Sequence, residues 1–345
     1  MIGSLPMDNH QKATELVFKY TPKIPLWVQL PIYSQEGMIS QFMPGMPGFT
    51  VKDDTFYMDT SSDTFNDDLL AFYETYLAIQ EGTSALDHSP FVLDMNTAKG
   101  FFVFLDSIRN LSYTPVALKG QITGPVTFTT GVKDENGKAI FYNEQARDAA
   151  VKLIAMKARW QTEKLSQFGC PAIVFFDEPA LAGFGSSAFI SIKHEDVATC
   201  FEEVIDAVHE KRGLAGIHVC ANADWSLILN SAVDIISFDA YSFFDKFFLY
   251  KDQIKNFIES GRTIAWGIVP TMPAEDIERQ TADSLVENWE SKVSKIKNLG
   301  ITMDTIVSRS LITPSCGTGS LSLDLAIRVL ELTRDVSDKL RKKYL

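Results

Sequence analysis

Short apolar runs rich in β-branched residues alternate along the chain with longer stretches whose apolar positions recur every three or four residues. The clearest long stretch covers residues 145–168. There Val151, Ile154, Ala155, Ala158, Thr162 and Leu165 share one helical face, and Gly169 stops the pattern. Ala172–Phe176 follows as an unbroken apolar run, which predicts a strand buried on both faces. The cycle repeats with a helical pattern over Val197–Lys211, a break at Gly213 and a strand over Ala215–Val219. Leu26–Leu30, Val116–Lys119, Val233–Phe238, Thr263–Val269 and Ile306–Ile312 bring the predicted strands to seven. Met43–Ser62 and Gly131–Lys138, rich in Gly, Pro, Asp or Asn, read as loops or insertions. Alternating β and α segments without a break predict one α/β domain over residues 1–345, a (β/α)8 TIM barrel with loop insertions. No G-x-G-x-x-G turn supports a dinucleotide-binding sheet instead.

Composition narrows the function classes. With 345 residues, 46% of them hydrophobic, the chain can bury a barrel-sized core. Its formal charge of −12 comes from 32 basic and 44 acidic residues, and no basic tract interleaves with aromatics, so nucleic acid is not an expected partner. Met1-Ile2-Gly3-Ser4-Leu5-Pro6 lacks the basic flank and apolar stretch of a signal peptide, and no long uncharged apolar run offers a membrane span. A cytoplasmic protein is the expectation. The four cysteines, at 170, 200, 220 and 316, are dispersed, which favours reduced thiols or metal ligands over a disulfide framework. Cys170 and Cys200 read as small buried residues.

Residues capable of chemistry fall at the C-terminal ends of the predicted strands. Asp177 and Glu178 follow Phe176, His218 and Cys220 close the run from Ala215, Asp239 follows Phe238, Pro270 and Thr271 follow Val269, and Cys316 follows the last strand. Strand ends of a barrel converge on one face, so residues far apart in the chain can meet there. Residues two apart on a strand point the same way, so His218 and Cys220 can reach one ion. Zinc takes about four ligands from imidazole, thiolate and carboxylate, and a catalytic site keeps one position exchangeable. Cys316 and Asp239 can complete such a shell. Two thiolates would leave a bound substrate thiolate electron-rich, while the ion lowers that thiol's pKa from about 8.5 toward neutrality. That suits alkyl transfer to sulfur. Other readings stay open: His218 and Cys220 as ordinary core residues, a nucleophilic Cys-His pair, Asp177 as a helix N-cap before Pro179, and Ser4 as a surface residue.

Four motifs carry a resemblance. Lys119-Gly120-Gln121-Ile122-Thr123-Gly124-Pro125-Val126-Thr127, Asp177-Glu178-Pro179-Ala180-Leu181, the pair His218-x-Cys220 with Cys316-Gly317, and Ile2-Gly3-Ser4-Leu5-Pro6 occur in that family's order across nearly the whole chain. With them the chain resembles the cobalamin-independent methionine synthase family, specifically its C-terminal catalytic barrel, and more distantly the uroporphyrinogen decarboxylase and methylcobamide:coenzyme M methyltransferase superfamily. The resemblance implies a zinc-dependent enzyme that methylates the thiol of homocysteine, or of another small thiol, to form methionine. It implies Zn2+ held by His218, Cys220 and Cys316, the substrate carboxylate held by Ser4 and the backbone near Ile2, and the substrate ammonium paired with Asp177. Lys119 is left as an internal barrel charge or a pocket residue.

Departures from the family sharpen the expectation. The family's displaceable fourth ligand is a glutamate, whereas the corresponding segment here is Ile236-Ser237-Phe238-Asp239-Ala240-Tyr241, with a side chain one methylene shorter. A family glutamate that contacts homocysteine has no match in residues 50–90. Full synthases of this type carry a second, N-terminal barrel that helps hold methylfolate, so the donor here is either methyltetrahydrofolate or a methylcorrinoid, free or on a corrinoid protein. Trp27, Phe184, Tyr241 and Phe243 are candidates to pack against a large planar donor. A coenzyme M-type methyltransferase, a cofactor-free decarboxylase of the uroporphyrinogen type, and a non-catalytic binding protein are the alternatives.

Overall fold

Alternate side chains of the run from Ala172 go to opposite sides of the sheet. Ile173 and Phe175 join Ala117, Ile235 and Ala265 in an inner cluster, whereas Val174 and Phe176 belong to the large cluster beneath the helices. Burial on both sides explains why the run is apolar throughout instead of alternating. The computed structural model describes residues 1–52, 55–184, 189 and 191–345. Its strands are β1 (Phe49–Lys52), β2 (Thr55–Met58), β3 (Leu118–Thr123), β4 (Ala172–Asp177), β5 (Leu214–Val219), β6 (Ile235–Phe238), β7 (Thr263–Val269) and β8 (Ser310–Pro314). Strands β3 to β8 form one curled, parallel, six-stranded sheet in sequence order. Parallel neighbours need crossovers, and long helices supply them.

The helix Glu144–Ser166 between β3 and β4 starts where the Asn143 side chain accepts a hydrogen bond from the Ala146 amide. Its buried face carries the apolar stripe legible in the sequence. The next crossover is the helix His194–His209, three residues earlier at its start than the apolar pattern suggests. Ser322 caps the last helix, Leu323–Tyr344. Among the described residues no helix is long and apolar enough to cross a membrane.

Two N-terminal segments approach the sheet without becoming regular strands. Residues around Ser4 and Gln29 are joined by a parallel bridge, with Leu5 N donating to Gln29 O at 3.1 Å and Gln29 N to Gly3 O at 3.0 Å. A further parallel bridge joins Leu26 to Lys119 of β3. The expected strand Leu26–Leu30 is thus reduced to isolated bridges. The expected strand Ile306–Ile312 is also corrected. Thr302 accepts from the Thr305 amide and starts a short helix, Met303–Ser308, so the strand begins only at Ser310. Met43–Ser62, expected to be a loop or an insertion, contains the antiparallel pair β1 and β2, with Phe49 opposite Met58.

Gly267 lies where the pairing of β7 with β8 shifts register. A Cβ placed there would meet the Phe238 carbonyl, the Ser315 Cα at 2.9 Å and the Asp239 Cα at 3.2 Å. All three are backbone atoms on neighbouring strand ends and cannot swing away. Replacing Gly267 by Ala is therefore expected to destabilise the fold by roughly 3 kcal/mol, the upper end of ordinary overpacking, read as a lowered urea midpoint. An unchanged midpoint would show that these strand ends are not tightly held.

Candidate metal centre

The sheet register brings the chemistry together. Thr123 of β3 is the in-register partner of Asp177 on β4, Asp177 that of His218 on β5, and His218 that of Ser237 on β6. His218 is buried, and its Nδ1 lies 3.0 Å from the Ser237 hydroxyl. That contact leaves Nε2 as the atom available for coordination, and Nε2 is a buried ring nitrogen without any hydrogen-bond partner. Cys220 follows β5 and Cys316 follows β8, and the donor atoms of His218, Cys220 and Cys316 all lie within 4.8 Å of one another. An orphaned imidazole nitrogen facing two free thiols is the donor set that zinc takes.

Contacts on both sides hold Cys316 in place. On one side Ser315 N donates to Val269 O at 2.8 Å, Thr271 N donates to Ser315 Oγ at 3.1 Å, and the two hydroxyls are 2.9 Å apart. On the other side Ser4 O accepts from the Thr318 amide at 3.2 Å and from the Thr318 hydroxyl at 2.9 Å, and Ser4 Oγ accepts from Gly319 N at 3.2 Å. Ser4 is therefore fixed against the loop that carries Cys316 and is not a free surface residue. Ile2, its neighbour in the same motif, is buried and lines a cavity nearer the strand starts.

The thiol pair is electrostatically asymmetric. The Cys220 thiol is held well below the ordinary thiol range by hydrogen bonding from Cys316 and by the adjacent His218 imidazole, against the effect of burial. Cys316 is pushed up by facing Cys220 and by burial. One proton shared between two sulfurs produces this split, and a divalent cation would displace it.

Asp177 ends β4 with Oδ1 buried and unpartnered. Burial raises its carboxyl, with His218 and Lys119 partly offsetting the effect. It does not cap the short helix Pro179–Gly183, whose N-cap position is Glu178 and has no side-chain bond. Asp239 behaves differently. It is outside the three-residue donor group, and its Oδ1 accepts from Ser242 N at 2.8 Å as the N-cap of the helix Ala240–Phe247. Burial raises this carboxyl too, against the hydrogen bonding of Ser242.

Glu178, named with Asp177 at the end of its strand but given no role by the sequence, is a structural centre. Fully buried, it accepts from Val126 N at 2.8 Å through Oε1, and from Thr127 N at 2.8 Å and the Thr127 hydroxyl at 2.6 Å through Oε2. Its own amide donates to His218 O at 2.8 Å. Burial pushes the carboxyl up to about 7 despite those bonds. The two sequence motifs around Gly124 and Glu178 are thus two halves of one clamp, and Gly124 is required because a Cβ there would collide with the Glu178 side chain. Of the proposed donor-facing aromatics, Trp27 is corrected. It is fully buried, donating from Nε1 to Gln161 Oε1 at 3.0 Å on the helix side. Phe184 stacks on His194 with ring centroids 5.1 Å apart, and the Tyr241 hydroxyl accepts from Gln280 at 3.0 Å.

The family model described as cobalamin-independent synthase, catalytic domain, matches residues 70–339, well over half of the chain. No curated protein matches it.

In metal-free protein at pH 6, iodoacetamide is expected to label Cys220 first, because a depressed thiol is thiolate there. Cys170 and Cys200 are buried, with thiols raised by burial, and should remain unlabelled. Peptide mapping by mass spectrometry reads the order. Labelling of Cys200 ahead of Cys220 would contradict the electrostatic assignment.

Proposed function

Because the chain belongs to the cobalamin-independent synthase catalytic-domain family, and so is a methionine synthase-like catalytic domain, we propose that it is a zinc-dependent S-methyltransferase that converts homocysteine to methionine. The carrying observation is the buried, unpartnered His218 Nε2 grouped with the Cys220 and Cys316 thiols. In this reading residues 1–345 are one domain. The segments around Ser4 and Leu26–Leu30 take the first two positions of an eight-position barrel, and the protein works in the cytoplasm, where thiols stay reduced.

His218, Cys220 and Cys316 would hold the ion, with Asp239 offering the carboxylate oxygen that the Ser242 amide leaves free. When bound, zinc supplies the Lewis acidity that ionises a thiol near neutral pH. The remaining tasks belong to protein groups. Asp177, in register beside His218 with one oxygen unpartnered, binds the substrate ammonium through a charge-assisted hydrogen bond. Ser4, fixed against the Cys316 loop, holds the carboxylate together with the backbone near Ile2. Gripped at both ends of its amino-acid moiety, the substrate presents its sulfur in line with the donor methyl carbon. The S–C bond forms as the bond to the donor breaks, and the electron pair leaves with the donor. The unpartnered acidic oxygen of Asp177 favours an acceptor bearing an ammonium over an anionic thiol such as coenzyme M.

Metal analysis tests the centre. Wild-type protein is expected to retain about one zinc per chain through gel filtration, and Cys220→Ala, Cys316→Ala and His218→Ala to lose most of it; equal zinc in all four would end this reading. An assay with homocysteine, run in parallel with methylcobalamin and methyltetrahydrofolate, identifies the donor. Asp177→Asn, nearly isosteric, should keep its zinc while losing about tenfold or more in kcat/KM, since a hydrogen bond to a charged group is worth about 1.5–3 kcal/mol. Full activity in Asp177→Asn would remove the ammonium contact.

A further inference from the structure

A cavity of about 400 Å3 lies below the thiol cluster, toward the starts of the strands. Lys119, Ile173, Phe175, Ala265, Leu311 and Thr313 line its inner part, and Lys23 and Arg341 stand at its exposed rim. The apolar walls are the same inner cluster that fills the hollow of the sheet. Lys119 is the anomaly. Only 5% exposed, its ammonium has one long hydrogen bond, 3.4 Å to Gln121 Oε1, and a ring contact with Phe175 at 4.7 Å. Among the described residues it forms no ion pair. An ammonium carries three donors, and burying it without a direct ion pair is costly; the charge of Asp177 offsets only part of that cost. Burial lowers it to about 8, so it is still charged at neutral pH. Thr313 adds a second unmet group, because its Oγ1 is buried in the same lining without a partner.

One cation and one free hydroxyl facing apolar walls match a monoanion with an apolar body better than a heavily hydrated multivalent anion. We propose that this cavity is a binding site for an organic monocarboxylate, with the carboxylate at Lys119 and Thr313 and its hydrocarbon part along Ile173, Phe175, Ala265 and Leu311. In a chain of net charge −12, Lys23 and Arg341 at the rim outnumber Asp338 in the same lining, which leaves a small local positive field at this opening. The lining includes none of His218, Cys220 and Cys316, so the proposal does not rest on the methyltransferase reading, although Ile2 is shared and Lys119 is electrostatically linked to Asp177.

Calorimetric titration of the zinc-loaded full chain at pH 7, with octanoate and with 1-octanol as probes, tests the proposal. Octanoate is expected to bind about tenfold or more tightly than octanol, the preference that a charge-assisted hydrogen bond confers. Lys119→Met should keep octanol binding and lose the preference. Thr313→Val, isosteric and apolar, should weaken octanoate about three- to tenfold, and it decides the matter if Lys119→Met fails to fold. Metal content should not change with octanoate. No binding of octanoate by the wild type, equal affinities for the two probes, or wild-type octanoate affinity in either variant would overturn the assignment.

Discussion

The constraint on which the structure depends is the parallel register of β3 to β8, continuous through every pair up to the shift at Gly267. It sets Thr123, Asp177, His218, Ser237, Ala265 and Leu311 side by side in one row across six strands. Because side chains alternate between faces, a shift of one residue in any strand would turn its member of the row away from the interior. The row changes character along its length. Its first four members are polar, with His218 in the thiol centre and Asp177 and Ser237 on either side of it, and its last two are apolar and wall the cavity beneath. One ladder of backbone hydrogen bonds therefore positions both the site and the hollow under it.

Register alone does not fix the loops where two of the three donor residues sit. Glu178 ties the end of β4 to the helix Pro125–Gly131 and, through its amide, to the carbonyl of His218. Thr271, Ser315, Ser4 and Thr318 bind the Cys316 loop from two sides. These are short contacts between buried or half-buried groups, where a hydrogen bond is worth most and a lost partner costs most. Preorganisation leaves two polar atoms conspicuously unmet, His218 Nε2 and Asp177 Oδ1, next to each other in register. Buried polar atoms are normally satisfied, so adjacent exceptions at a strand-end cluster mark a place built to receive something else.

Sequence patterns carried the βα alternation because a strand buried on both faces and an amphipathic crossover helix differ in period and polarity. They carried His218, Cys220, Cys316 and Asp177 as candidates because all four end apolar runs. The pattern failed where local capping competes with hydrophobicity. The apolar residues of Ile306–Ser308 entered a helix because Thr302 caps it; Asp239 has a second, local task that the pattern did not show, as the N-cap of the helix after β6. The hairpin β1–β2 was hidden because its strands are only four residues each and lie among Gly, Pro and Asp residues that read as loop.

What the sequence by itself determined is the α/β architecture, the imidazole and thiol residues of the candidate site and the family resemblance, since each resides in residue type and periodic order along the chain. Only the tertiary structure decided which residues meet. It grouped two thiols and an imidazole within 4.8 Å, left Asp239 outside that group, made Glu178 a clamp between two motifs, and put Lys119 beside an apolar hollow. The reason is geometric. Pairing register, loop path and side-chain direction arise from contacts between segments distant in the chain, and no local pattern encodes a distance between them.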